Sequence, residues 1–258
     1  MKKNNKQGYY LSILFIVLLY LFTRSFYTPF FLILLSLMLY LAFLKEENRL
    51  VAWMIISFFG GNLILFYLDK FIDGIQIDPF HRVIFHQLLF IIPILSICYV
   101  INRFNKKISL FFRRPETWIQ RSLALKRKYV YIIVLLIFIS FLSVVMTLEA
   151  TFNFHLVISL SLFVFIHAVL QEIMWRGILL TQFMMIANET SAILFTSLAF
   201  ALNTTIFGFT LVVFILYFIF GLLLGFITSK CKSILPSTIA HALVLILLFI
   251  KGFLQLPI

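Results

Sequence analysis

The chain has 258 residues, of which 63% are hydrophobic and only 12% charged, with a formal net charge of +12. Its mean hydropathy is +1.12. A soluble domain is nearer half apolar and a quarter charged, so a water-soluble globule, a disordered chain and a nucleic-acid-binding protein are all excluded in favour of a polytopic membrane protein. Apolar runs long enough to cross a bilayer fall at about 8–23, 28–44, 50–68, 83–101, 129–147, 153–175, 191–209, 211–229 and 234–250. Strand-like alternation is absent, and a helix satisfies its own backbone in lipid. The expected fold is all-α, a transmembrane bundle of eight to nine helices. Gly60, Gly61 and Asn62 interrupt the third run and mark an expected kink, as does Pro93 in the fourth. The segment 177–190 carries Thr181, Gln182, Asn188 and Glu189, and is expected either to lie in the interface or to extend the sixth helix.

Charge sets the orientation. Lys2, Lys3 and Lys6 precede the first run, and Lys45 and Arg49 follow the second. Residues 102–128 carry nine cations, and Lys230 and Lys232 follow the eighth run. These segments share one side if the N-terminus is cytoplasmic, as the positive-inside rule requires. The aromatic and aliphatic residues among the cations of 102–128 also suit a surface segment on anionic lipid. Residues 1–124 form an N-terminal set of helices with this basic loop, and residues 125–258 a second set, within one integral membrane domain. Cys98 and Cys231 are too few for a disulfide framework.

Ionisable side chains are costly in lipid, so those within spans are functional candidates. Glu172 is the one acidic residue of the nine placed in, or at the end of, a strong span. Arg176 follows at i+4 and shares its helical face. His167 lies on the same helix, one turn before Gln171, and His241 lies in the last span. His86 and His155 begin their spans and are expected at the headgroup or aqueous rim.

The stretch Gln171-Glu172-Ile173-Met174-Trp175-Arg176-Gly177 resembles the Glu-Glu-x-x-x-Arg-Gly motif of the CPBP (Abi) family of intramembrane proteases. That family includes CAAX prenyl endopeptidases and bacteriocin-processing or immunity proteins. Its second motif, Phe-x-x-x-His, falls on Phe200 to Thr204. Its third, a Gly-rich helix leading to His-x-x-x-Asn, falls on Gly221 to Gly225 and then His241 to Leu245. The resemblance spans roughly residues 125–250.

In the family the first Glu of the first motif is thought to act as a general base on water, and the later His and Asn residues to bind a metal or the oxyanion. Here those positions hold Gln171, Thr204 and Leu245. An amide cannot take a proton from water. Asn203 is one residue early, which is about 100° around a helix. Glu172, Arg176 and His241 are the remnant motif residues, and Gln171, Thr204, Leu245 and His167 are expected to line the remnant cavity, with Thr204 closing its far wall. Metal-assisted hydrolysis needs about three protein ligands, an open position and a base. The expectation is therefore a degenerate member with no metal or other cofactor, acting by binding a membrane protein, a hydrophobic peptide or a lipid, as a cell-envelope scaffold or bacteriocin-immunity protein. The alternative is an active endopeptidase with a rearranged site, which would need a divalent metal such as zinc. Ion-coupled transport is disfavoured by the scarcity of charge within the spans.

Overall fold

A computed structural model describes residues 6–23, 28–44, 46–106, 154–204 and 210–250. Every regular element among them is helical. The chain order is α1 (Lys6–Thr23), α2 (Thr28–Leu44), α3 (Glu46–Asp73), α4 (Pro79–Leu88), α5 (Ile91–Arg103), α6 (Phe154–Glu172), a π-helical segment (Ile173–Leu179), α7 (Leu180–Ile186), α8 (Glu189–Thr204), α9 (Leu211–Cys231) and α10 (Leu235–Ile250). The expected span at 129–147 and the basic stretch from residue 107 onward lie outside the described residues.

Four described segments are long and apolar enough to cross a membrane: Asn48–Asp73, Pro79–Arg103, Ile158–Ile186 and Leu211–Cys231. Three shorter apolar helices among the described residues are Gly8–Thr23, Pro29–Leu41 and Leu235–Phe249. Large apolar side chains such as Phe30, Ile33, Tyr67, Phe165 and Leu211 point outward. That would be a liability in water, and it is the expected surface of a bundle solvated by lipid. The molecule is an all-α membrane protein.

Aromatic side chains build the core. Phe15 of α1 packs on Phe58 of α3 and on Phe183 of α7, each with ring centroids 5.5 Å apart. Phe58 in turn meets Trp175 edge-on at 5.8 Å. This cluster joins α1 and α3 to the helix that carries the Glu172 motif. A second, smaller cluster of Phe163, Val164, Ala168 and Leu245 packs α6 against α10.

The two expected kinks resolve differently. Pro93 lacks an N–H, so Leu89 O loses its α-helical donor and accepts from Ile92 N at 3.0 Å instead. The helix breaks at Leu89–Phe90, separating α4 from α5. Gly60 and Gly61, by contrast, leave α3 unbroken. The reason for Gly61 is proximity: a Cβ there would stand 2.6 Å from Pro93 Cα on α5. Asn62 stays within the helix by donating from Nδ2 to Phe58 O at 2.8 Å. The segment after Glu172 extends the sixth helix as far as Ile186, where Ala187 turns to extended backbone.

His86 is more than a rim residue. Its Nδ1 bonds Asp69 Oδ1, and its Nε2 lies 3.2 Å from Asp73 Oδ1. The imidazole is thus held between two carboxylates one turn apart on α3, and it fastens α4 to α3. The side chain of His155 is outside the described residues.

Candidate functional site

Glu172 is the last residue of α6, and the backbone widens immediately after it. The N–H of Leu180 donates to Trp175 O, five residues back, as a π-helix requires. Such bulges occur frequently at functional sites. Two i, i+4 side-chain pairs lie where it begins. Gln171 Oε1 accepts from Trp175 Nε1 at 2.7 Å, and Arg176 Nη1 donates to Glu172 Oε1 at 3.0 Å.

The expected convergence of Glu172 and His241 is present. His241 Nδ1 lies 2.9 Å from Glu172 Oε1, across from the helix that bears Arg176. A carboxylate oxygen can only accept here, so Nδ1 is the donor. Glu172, Arg176 and His241 are 0%, 3% and 1% exposed. The acid and guanidinium offset each other's charge, which the low-dielectric interior demands.

Arg176 has two further contacts. Nη2 donates to Gly221 O at 3.4 Å, and the guanidinium carbon stands 4.3 Å from the Phe200 ring centroid. Gly221 lets α9 approach α8 closely, because a Cβ there would come within 3.1 Å of Ser197 Cβ and 3.3 Å of Phe200 Cδ1. Aromatic rings enclose His241 as well. Phe200 and Phe220 meet it nearly perpendicular, with centroids at 5.7 and 5.6 Å. The triad is therefore an ion-paired cluster walled by α6, α8, α9 and α10.

One oxygen is left over. Glu172 Oε2 is buried without a hydrogen-bond partner. Ser237 sits beside the carboxylate, but its own proton goes to Ile234 O at 2.8 Å, while it accepts from Thr228.

The other sequence candidates fall around the triad rather than into it. Gln171 is buried and its carbonyl is engaged by Trp175. Thr204 bonds within its own helix. Its hydroxyl donates to Phe200 O at 2.8 Å, and the Phe200 ring, one turn earlier, is the α8 group that meets Arg176. A threonine hydroxyl can satisfy itself this way, whereas an imidazole would have had to reach inward. Leu245 packs in the α6–α10 cluster with Phe163. His167 is closer to the triad than its helical face suggests. Its ring stands edge-on to His241, centroids 5.8 Å apart, because α10 packs along α6. Phe163 stacks on its other side at 5.5 Å.

Gln87 is the residue that sequence reasoning missed. Its Oε1 lies 2.6 Å from His167 Nδ1 and fixes that ring from α4. A census restricted to ionisable residues passes over it. The signal was a lone amide in an apolar run, beside His86.

To hold a metal, three ligands would have to converge on one point. Glu172 and His241 are bonded to each other and His167 is bonded to Gln87. Among the described residues no group of three or more His, Cys, Asp or Glu side chains is placed to hold an ion.

Residues 153–247 match the family model described as Type II CAAX prenyl endopeptidase Rce1-like. The matched stretch holds Gln171, Glu172, Arg176, Thr204, His241 and Leu245, and leaves α1–α5 outside it. No curated protein and no solved structure is similar enough to match the chain. Over residues 153–247, the chain is thus similar to the Rce1-like family of type II CAAX prenyl endopeptidases.

Proposed function

We propose that this protein is a catalytically degenerate CPBP-type membrane protein that works by binding rather than by hydrolysis. Its ligand would be another membrane protein, or a hydrophobic peptide or lipid, in the manner of a cell-envelope scaffold or a bacteriocin-immunity protein. The observation that carries the reading is the commitment of Glu172. Its Oε1 is shared by Arg176 and His241, and the neighbouring position, where the family has its general base, is an amide engaged by Trp175. A base must be within hydrogen-bond reach of the proton it takes and must be free to take it. The placement is the cell membrane with a cytoplasmic N-terminus, supported by the distribution of Lys and Arg. The basic stretch 102–128 would rest on anionic lipid.

Glu172 Oε2 favours a second reading. A buried acceptor without a donor is a place where a water could be held. In an active endopeptidase that water would be the nucleophile and Glu172 its base. Co-purification from native membrane in mild detergent, followed by mass spectrometry, separates the two. A stoichiometric membrane partner that survives Glu172→Gln supports the binding reading. Processing of a prenylated or leader peptide, lost in Glu172→Gln, supports the second.

A further inference from the structure

Two grooves open along the contact between α8 and α9, one toward each end. The first, of about 540 Å³, lies between Ile193 and Leu194 of α8 and Ile219, Leu223 and Phe226 of α9. The second, of about 520 Å³, lies between Leu198 and Leu202 of α8 and Leu211 and Phe214 of α9, and Ile16 and Tyr20 of α1 flank it. None of these side chains belongs to the triad.

Helical spacing joins the grooves into one seam. On α8, Leu194, Leu198 and Leu202 recur every four residues, the first lining one groove and the others the second. On α9, Leu211, Ile215, Ile219 and Leu223 recur in the same way, so Ile215 carries the stripe from one groove to the other. Those four α9 side chains are each about half exposed or more. The stripe therefore faces hydrocarbon along its whole length.

The ends of the seam are polar. Glu189 begins α8 and Lys230 lies in the last turn of α9, with Lys230 Nζ 3.2 Å from Glu189 Oε1. Ser229 donates to the same oxygen at 2.6 Å. The pair is neutral and asks for no charge in an occupant. At the opposite end stand Tyr20 and Thr210, and tyrosine is enriched where membrane meets water.

Length decides the occupant. From Leu211 to Lys230, α9 rises roughly 28 Å at 1.5 Å per residue. The hydrocarbon core of a bilayer is about 30 Å thick, so the seam runs through both leaflets. A phospholipid stands in one leaflet and covers about half of that depth. A transmembrane helix of about 20 apolar residues covers all of it. Helices associate in lipid by packing the side-chain ridge of one into the groove of another.

We infer that the α8–α9 seam docks one transmembrane helix of a partner protein, uncharged over about 20 residues and lying along α9 through both leaflets. Such a surface serves the binding reading but is separate from the triad, so the two can fail independently. The test places the photo-reactive residue p-benzoylphenylalanine at Leu211 or at Phe226 of the full-length protein, irradiates native membrane, and identifies the cross-linked peptide by mass spectrometry. Both positions should capture the transmembrane segment of one and the same protein. Phe165, exposed on α6, should capture lipid alone. Ile219→Trp fills the middle of the seam at an exposed position, and should remove both protein adducts together. Lipid alone at Leu211 and Phe226, a different protein at each, or the same protein at Phe165 would overturn the inference. So would capture of a second copy of this chain or of another segment of it, or an Ile219→Trp effect at one end only or at neither. A partner that co-purifies yet is captured at neither position would keep the binding reading and overturn this one.

Discussion

At the scale of single residues, Glu172 Oε1 accepts from two donors on different helices, and the two are not equivalent. Arg176 neutralises the buried charge, whereas His241 needs only to donate a proton. Removing the guanidinium alone leaves an uncompensated carboxylate in a dry site, at a cost of about 3–5 kcal/mol. Removing both charges leaves chiefly an unpaired His241 N–H, at about 1–3 kcal/mol. Arg176→Ala should therefore lower thermal stability in detergent more than Glu172→Ala/Arg176→Ala does. Additive losses would show that the pair is not coupled. A second expectation concerns Gln87. Gln87→Leu keeps the bulk but strands His167 Nδ1, and should cost about 1–3 kcal/mol. His167→Phe on that background should restore part of the loss, since the ring can then pack without a partner. The sequence shows Glu172, Arg176 and His241 because charge in lipid is conspicuous. It hides Gln87, Phe200 and Phe220, which act across helix contacts that spacing along one helix does not reveal.

At the scale of helices, close approach does the work that kinking was expected to do. Gly61 faces Pro93 so tightly that a methyl group requires α3 and α5 to separate. Gly61→Ala should destabilise the bundle by about 1–3 kcal/mol as overpacking, and Gly60→Ala, which meets nothing within 4 Å, should be near neutral. Equal effects would mean the glycines serve backbone freedom instead. The paired glycines were legible as a break in the apolar run, but their role depends on a proline thirty-two residues away in the chain. The π-helical segment after Glu172 was not legible, because the i, i+4 rule that pairs Glu172 with Arg176 assumes a regular α-helix. The contact between α8 and α9 gives a pH expectation. The Glu189 carboxyl is held below its ordinary value by Ser229 and Lys230, so its contribution is present above the unfolded value of about 4.3 and is lost as pH falls through the lower folded value. The stability difference between the natural sequence and Glu189→Gln should shrink as pH drops from about 5, and a difference that grows on acidification would contradict the assignment.

For the whole molecule, composition pointed to the membrane class, and the absence of strand-like alternation to helices, because in lipid only helices and closed barrels satisfy the backbone. The grouping of helices was not readable in the same way. Apolar runs report which segments enter lipid, but the aromatic core that joins α1 and α3 to the stretch similar to the Rce1-like model depends on shape. That core gives α1–α5 a structural part, holding the helix of Glu172 from behind through Phe58 and Trp175. Orientation is testable by cysteine accessibility. Thiols introduced in 102–128 should label only after permeabilisation, and labelling in intact cells would reverse the topology. The central claim is that the triad is an ion-paired remnant rather than a working protease. The most direct measurement incubates the purified natural protein with prenylated and leader-peptide substrates, with and without chelator, beside Glu172→Ala. No cleavage above that of Glu172→Ala is expected, and chelator-sensitive cleavage that Glu172→Ala abolishes would contradict the binding reading.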